Sequence, residues 1–172
     1  GIESVYAITA GNNEEREALA KKLGAKEVLN LTAMGTEAVT QRLQKENGGL
    51  GVDLCFEASG APSAVVQGMD ILRNRGVYLV PGQYSNSGGV VIQPQMITFK
   101  ALHIIGSSQY SMLDVNAYLA FLDEHKQLHD CISKLGTRYH IEEVNQAFAD
   151  AKSGNNVKTI LVSEHKGIFI KE

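Results

Sequence analysis

The stretch GVDLCFEASGAP, residues 51–62, constrains this chain more than any other. Leu54, Cys55 and Phe56 form a short apolar run without alternation, which predicts a strand covered on both faces. Ser59 and Gly60 then supply a tight turn and a candidate helix cap, and Pro62 suits a first helical position, where its absent N–H costs nothing. A parallel strand that ends in a small-residue turn before a helix N-terminus is where such sheets bind ligands. The residues on either side repeat the same strand–turn–helix grammar.

Residues 3–10 read as a strand, broken at Gly11-Asn12-Asn13, where either asparagine can cap the next helix. Glu14 and Glu15 fall in its first turn, Ala18, Leu19 and Leu23 form an inward stripe, and Gly24 sits where a C-terminal cap belongs. A second strand covers residues 27–30. Thr36 can cap a helix running to Glu46, with Val39 and Leu43 inward, and Asn47-Gly48-Gly49 ends it. The helix after the organising strand carries Val65, Val66, Met69, Ile71 and Leu72. Gly76 turns the chain into the apolar strand 77–80, closed by Pro81-Gly82. A polar, glycine-rich loop (84–89) leads to Val90-Val91-Ile92-Gln93-Pro94, and residues 102–106 make a further strand ending at Ser107-Ser108. A helix over 114–126 carries Val115, Tyr118, Leu119 and Leu122 at i, i+3, i+4 and i+7 spacing. Another over 141–151 has Val144, Ala147 and Phe148 inward, and residues 157–162 form a last strand before a tail containing Ile168-Phe169-Ile170. Alternation at this spacing predicts an α/β fold with a doubly wound parallel sheet.

Bulk properties narrow the function classes. The chain has 172 residues, a net charge of −3 and two cysteines, Cys55 and Cys131. That length suits one domain with a sizeable core. Interspersed charge without a basic stripe argues against a nucleic-acid partner. Two distant cysteines fit a reducing compartment, and neither a membrane-length apolar run nor a leader is visible. A soluble cytoplasmic protein is expected.

Six segments, taken in order over residues 3–162, resemble the medium-chain, zinc-type alcohol dehydrogenases: EREALAKKLGA (15–25), GLGVD (49–53) with FEASG (56–60), LRNRGV (72–77), IIGS (104–107), VNQAF (144–148) and SGNNVK (153–158). Residues 104–125 lean toward the polyol and general zinc-type alcohol dehydrogenase branch. The resemblance covers the C-terminal part of such an enzyme, and it implies a Rossmann-like dinucleotide-binding fold over 1–162 with a C-terminal tail over 163–172. It also implies that the catalytic domain, with its zinc ligands, and the first strand with its G-x-G-x-x-G turn lie outside this sequence. Gly48-Gly49-Leu50-Gly51 is not that turn, because it precedes a strand instead of following one. In the order 3-2-1-4-5-6 the first strand is central. Without it two strand edges are left open, to be filled by the 168–170 tail, a partner chain or an N-terminal piece of the intact enzyme.

By the same resemblance, Ala58, Ser59, Gly60, Gly82, Gln83, Gly106 and Ser107 flank a nicotinamide and its ribose, since small residues let the backbone approach a ligand closely. The plainer reading is a set of strand-ending turns. Gly11 stands where relatives that use NAD carry an acidic residue, and with Asn12 or Arg16 nearby it tilts the choice toward NADP; Glu14 and Glu15 pull the other way. Lys158 matches a basic position near the cofactor phosphates, or is a plain exposed lysine. His125 and His129, at i, i+4, read as a solvated pair at a helix C-terminus in preference to metal ligands. Cys55 reads as a small buried apolar residue. Val90, Val91, Ile92 and Gln93 match the edge segment through which the family pairs two subunits, so a homodimer is expected. The function implied is hydride transfer between an alcohol or polyol and NAD or NADP. No catalytic residue or metal ligand falls on this chain, zinc belongs to the absent domain, and the 172-residue piece alone is expected to be inactive. The alternative is a truncated, non-enzymatic module for dimerisation or weak nucleotide binding.

Overall fold

Strand–turn–helix units recur along the chain in the computed structural model, which describes residues 2–11, 13–83, 85–154 and 156–163. The strands are β1 (Tyr6–Thr9), β2 (Glu27–Asn30), β3 (Val52–Phe56), β4 (Leu72–Val80), β5 (His103–Gly106), β6 (Gly136–His140) and β7 (Lys158–Val162). Two compact units divide the chain: Gly1–Ala7, Asn12–Val28 and Ser111–Glu172 form the first, Ile8–Gly11 and Leu29–Tyr110 the second. Three sheets result, with orders β1-β2, β3-β4-β5 and β6-β7. All pairings within β3-β4-β5 and β6-β7 are parallel. The orders β2-β1 and β3-β4-β5 match strands 3-2 and 4-5-6 of the doubly wound arrangement. Among the described residues, no strand pairs with the outer edge of β3. The roles expected of Asn12 and of the 168–170 tail fall outside the described residues.

Local chemistry explains most helix ends. Asn13 caps helix Glu14–Lys22, its side chain accepting from the Arg16 N–H, with acids in the first turn and Lys21 and Lys22 in the last. Ser111 and Asp114 form a reciprocal capping box at helix Met112–Glu124. Pro62 begins helix Pro62–Ile71 as its sequence position suggests, and Gly154 closes helix Val144–Ser153 in the left-handed region.

Several sequence expectations are corrected. β3 is covered on one face only. Cys55 packs on the core while Leu54 and Phe56, on the opposite face, are exposed, Phe56 to 60%. The apolar run implies two covered faces, yet among the described residues the face carrying Leu54 and Phe56 is left open. Thr36 is not a cap: Gly35 holds that position, and the helix is Thr36–Gln44. Val39 and Leu43 are nonetheless buried, as periodicity requires. Leu72 opens β4 instead of ending a helix, and the turn assigned to Gly76 is a register break over Arg73–Gly76 with Arg75 in the left-handed region. Ala18, Tyr118, Leu119 and Phe148, and Leu23 at a helix C-cap, are exposed, because the apolar stripes of their helices meet only partial cover. The helix expected over 141–151 begins as a 3₁₀ turn, Ile141–Glu143. Val90 to Gln93 belongs to no sheet, and Val91 is 89% exposed. β6 and helices Leu31–Met34 and Gln95–Lys100 were not anticipated; the first of these helices is capped by the Asn30 side chain.

The core of the second unit gathers Met69, Leu72, Tyr78 and Leu102. Tyr78 is fully buried and donates its hydroxyl hydrogen to the Ala64 carbonyl at 2.9 Å. Its ring lies over Gly68, where an added Cβ would sit 2.3 Å from the ring and the hydroxyl. Lys100 donates to the carbonyls of Met69 (2.8 Å), Asp70 (2.8 Å) and Leu72 (2.9 Å), satisfying the otherwise orphaned end of helix Pro62–Ile71. Burial lowers the Lys100 pKa, so the three carbonyls serve a partly desolvated ammonium.

Steric and polar contributions at Tyr78 separate cleanly. Gly68→Ala overpacks the ring and is expected to destabilise by ~1–3 kcal/mol. Tyr78→Phe removes one hydrogen bond and should cost ~0.5–1.5 kcal/mol. Urea midpoints of both variants check the order; a neutral Gly68→Ala would contradict the packing described.

Candidate functional site

At the carboxyl ends of β4 and β5 lies an open cleft of about 500 Å³, lined by Val80, Pro81, Gln83, Gly106, Ser107 and Ser108. That volume is within the roughly 300–1,000 Å³ typical of small-molecule sites. The location follows from topology. Parallel strands release their chains at the same edge, and the turns beyond them diverge to leave a crevice. Gly106 contributes no side chain, and a Cβ built there meets nothing within 4 Å, so space stands open beside its backbone.

Glu57 organises the wall of this cleft. It directly follows β3 and is only 4% exposed. Its N–H donates to the Leu79 carbonyl and its own carbonyl accepts from the Gly82 N–H, both at 2.9 Å, so the β3–β4 ladder continues past the strands. Its Oε1 accepts from the Ser59 N–H (2.7 Å), the Ser59 hydroxyl (2.6 Å) and the Gly60 N–H (2.9 Å). Its Oε2 accepts from Gln83 Nε2 at 3.1 Å. Burial by itself would raise the Glu57 pKa, but the donations from Ser59, Gly60 and Gln83 outweigh it and hold the carboxyl below the ordinary glutamate range. The retained charge also acts on Cys55, whose thiol is pushed up to about 11, first by burial and then by Glu57. Two glycines make the approach fit. Gly60 has φ +72°, and a Cβ there would lie 3.0 Å from the Gly82 carbonyl oxygen. A Cβ on Gly82 would lie 2.4 Å from Glu57 Oε2.

The residues expected at a site divide into groups. Gln83, Gly106 and Ser107 line the cleft, while Ser59, Gly60 and Gly82 belong to the Glu57 network that builds its wall. Ala58 is exposed within the same turn. Ser59 and Gly60 do not cap the helix directly. Ala61 holds that position, and Ser59 Oγ accepts from the Ala61 N–H at 3.1 Å. Gly11, after β1, has φ +85°; its N–H donates to Thr32 Oγ1 and its carbonyl accepts from Asn30 Nδ2, both at 2.8 Å. Arg16 and Lys158 belong to the first unit. Arg16 donates to the Asn156 carbonyl at 2.6 Å, and Lys158 is exposed at the start of β7. The rings of His125 and His129 donate to the Phe121 (2.8 Å) and Leu122 (2.9 Å) carbonyls at a helix end. Cys55 is half-buried and, like Cys131, a free thiol. Among the described residues, no three His, Cys, Asp or Glu side chains come together, and no helix is long and apolar enough to cross a membrane. Sequence reasoning passed over Glu57, Val80, Pro81 and Ser108. The visible signal for Glu57 was a single acid at the end of the run LCF, directly before a small-residue turn.

Residues 1–124 match the family model for zinc-binding dehydrogenases, and the chain belongs to that family. It is 28% identical over 169 residues to a 5-exo-hydroxycamphor dehydrogenase of Pseudomonas putida, covering 95% of this chain and 45% of the relative. It is 27% identical over 150 residues to a sorbitol dehydrogenase of Halalkalibacterium halodurans, covering 87% and 42%. An alcohol dehydrogenase of Thermotoga maritima superposes with a TM-score of 0.79 at 27% identity, covering 95% of this chain and 44% of that one. The chain thus spans a little under half the length of the relatives it matches. Together with the parallel sheets, these matches establish a Rossmann-like α/β fold.

The depressed Glu57 pKa fixes the sign of one pH dependence. Its stabilising contribution is complete above the glutamate pKa of the unfolded chain and is lost as pH falls through the lower folded value. Glu57→Gln should therefore flatten the acid limb of a stability–pH profile measured by thermal unfolding. An unchanged acid limb would show that the carboxylate is not held as described.

Proposed function

We propose that this chain is the nucleotide-binding portion of an NAD(P)-dependent, zinc-type alcohol or polyol dehydrogenase, with residues 1–162 forming that portion and 163–172 a tail. The observation that carries the reading is the cleft at the carboxyl ends of β4 and β5, walled by small residues and one oriented amide, in a chain of this family. Gly106 leaves backbone open to a flat ring or ribose, Ser107 lines the same cleft, and Gln83 supplies a side-chain amide. Ser59, Gly60 and Gly82 serve by shaping the wall. The dinucleotide supplies the hydride chemistry when bound; this chain binds and orients it. Zinc, in the intact enzyme, would supply polarisation of the substrate oxygen. None of the described residues is assigned to it.

Gly11 places no carboxylate after β1, which removes a repulsion against a 2′-phosphate and leans the reading toward NADP. The free cysteines Cys55 and Cys131 support a cytoplasmic setting. The exposed apolar segment Val90, Val91, Ile92 and Gln93, which belongs to no sheet, supports pairing with a second copy.

Fluorescence titration with NADH and NADPH tests the reading, alongside light scattering for mass. Binding of both by a dimer is expected, with NADPH tighter, and the 172-residue chain should not oxidise alcohols with added zinc. Failure to bind either cofactor would contradict the cleft assignment, and zinc-dependent turnover would contradict the proposal that this chain alone is inactive.

A further inference from the structure

We propose that Glu57 is a positioning residue that fixes the amide of Gln83, so that the cleft meets its ligand with a hydrogen-bond acceptor, Gln83 Oε1. A primary amide nitrogen carries two hydrogens, and both are committed. Gln83 Nε2 donates to Glu57 Oε2 at 3.1 Å and to the Ala61 carbonyl at 3.0 Å. Both partners are pure acceptors, so the amide cannot flip. Reversal would set its oxygen against a carboxylate and a carbonyl. Oε1 has no hydrogen-bond partner among the described residues, and Gln83 lines the cleft. The polar atom this side chain has left to offer is therefore an acceptor.

The arrangement selects a class of ligand. A group that donates an N–H or O–H is complementary to Oε1, and a carboxylate or phosphate oxygen is not. In a dinucleotide the matching groups are the nicotinamide carboxamide N–H₂ and the ribose hydroxyls. That assignment rests on the dinucleotide reading above, whereas the fixing of Gln83 by Glu57 does not. Glu57 itself does not line the cleft and acts through Gln83. The three donors on Oε1 keep the carboxylate ionised and aligned, so Oε2 remains an acceptor.

Glu57→Gln isolates the effect. A glutamine oxygen at the Oε1 position can keep the bonds from Ser59 and Gly60, but its nitrogen at the Oε2 position meets Gln83 Nε2 donor to donor. An NMR pH titration of the full wild-type chain should show the Gln83 side-chain N–H₂ and the Ser59 and Gly60 amides moving with one shared midpoint. That shared transition should vanish in Glu57→Gln. For binding, Glu57→Gln and Gln83→Leu should each weaken NADPH or NADH affinity about tenfold, and the double variant also about tenfold, because one interaction is being removed twice. A Gln83 resonance that ignores the shared midpoint, or an additive loss of about a hundredfold in the double variant, overturns the proposal. If wild type binds neither cofactor, the dinucleotide reading falls and the ligand assignment with it. The wild-type titration then decides the positioning claim alone, whether or not the variants fold.

Discussion

One buried carboxylate ties the second unit's functional end together. Glu57 makes hydrogen bonds through its N–H, its carbonyl and both carboxylate oxygens, and they reach Ser59, Gly60, Leu79, Gly82 and Gln83. An ionised carboxylate buried without such partners would cost several kcal/mol, so the donors around it are a condition of its presence. The same bonds set the direction in which the chain leaves β3 and the spacing between that exit and the exit of β4. Gly60 and Gly82 are glycines because the two exits pass too close for a Cβ.

The cleft is a consequence of this geometry. Parallel strands deliver Glu57, Val80 and Gly106 to one sheet edge, and the clamp on Glu57 holds the β3 and β4 turns while the β5 exit stays open. The Tyr78–Gly68 contact and the Lys100 cap work one level below, tying helix Pro62–Ile71 to the sheet and with it the turn that precedes the helix. Rigid support and open turns are what a ligand-orienting surface needs.

The sequence carried the alternation of elements, the buried pair Val39 and Leu43, the Asn13 cap, the Pro62 helix start and the strand-end glycines, because each depends on local chemistry or on period. It did not carry burial that depends on partners. Leu54, Phe56, Tyr118, Leu119 and Phe148 have the spacing of core residues yet are exposed, since periodicity reports which face is apolar and not what covers it. In the sequence Glu57 stands out only as part of the FEASG motif. Its role depends on Gln83 and Gly82, about 25 residues later, brought beside it by parallel pairing, which no local pattern encodes. β6 was missed for a related reason: GTRYH has a weak alternation, and its pairing with β7 is long-range.

Amide chemical-shift mapping of the chain with NADPH tests the central claim, that a dinucleotide sits at the strand exits organised by Glu57. The account predicts saturable shifts concentrated at Ser59, Gly60, Gly82, Gln83, Gly106 and Ser107. Saturable binding with shifts elsewhere and none at these residues would contradict it.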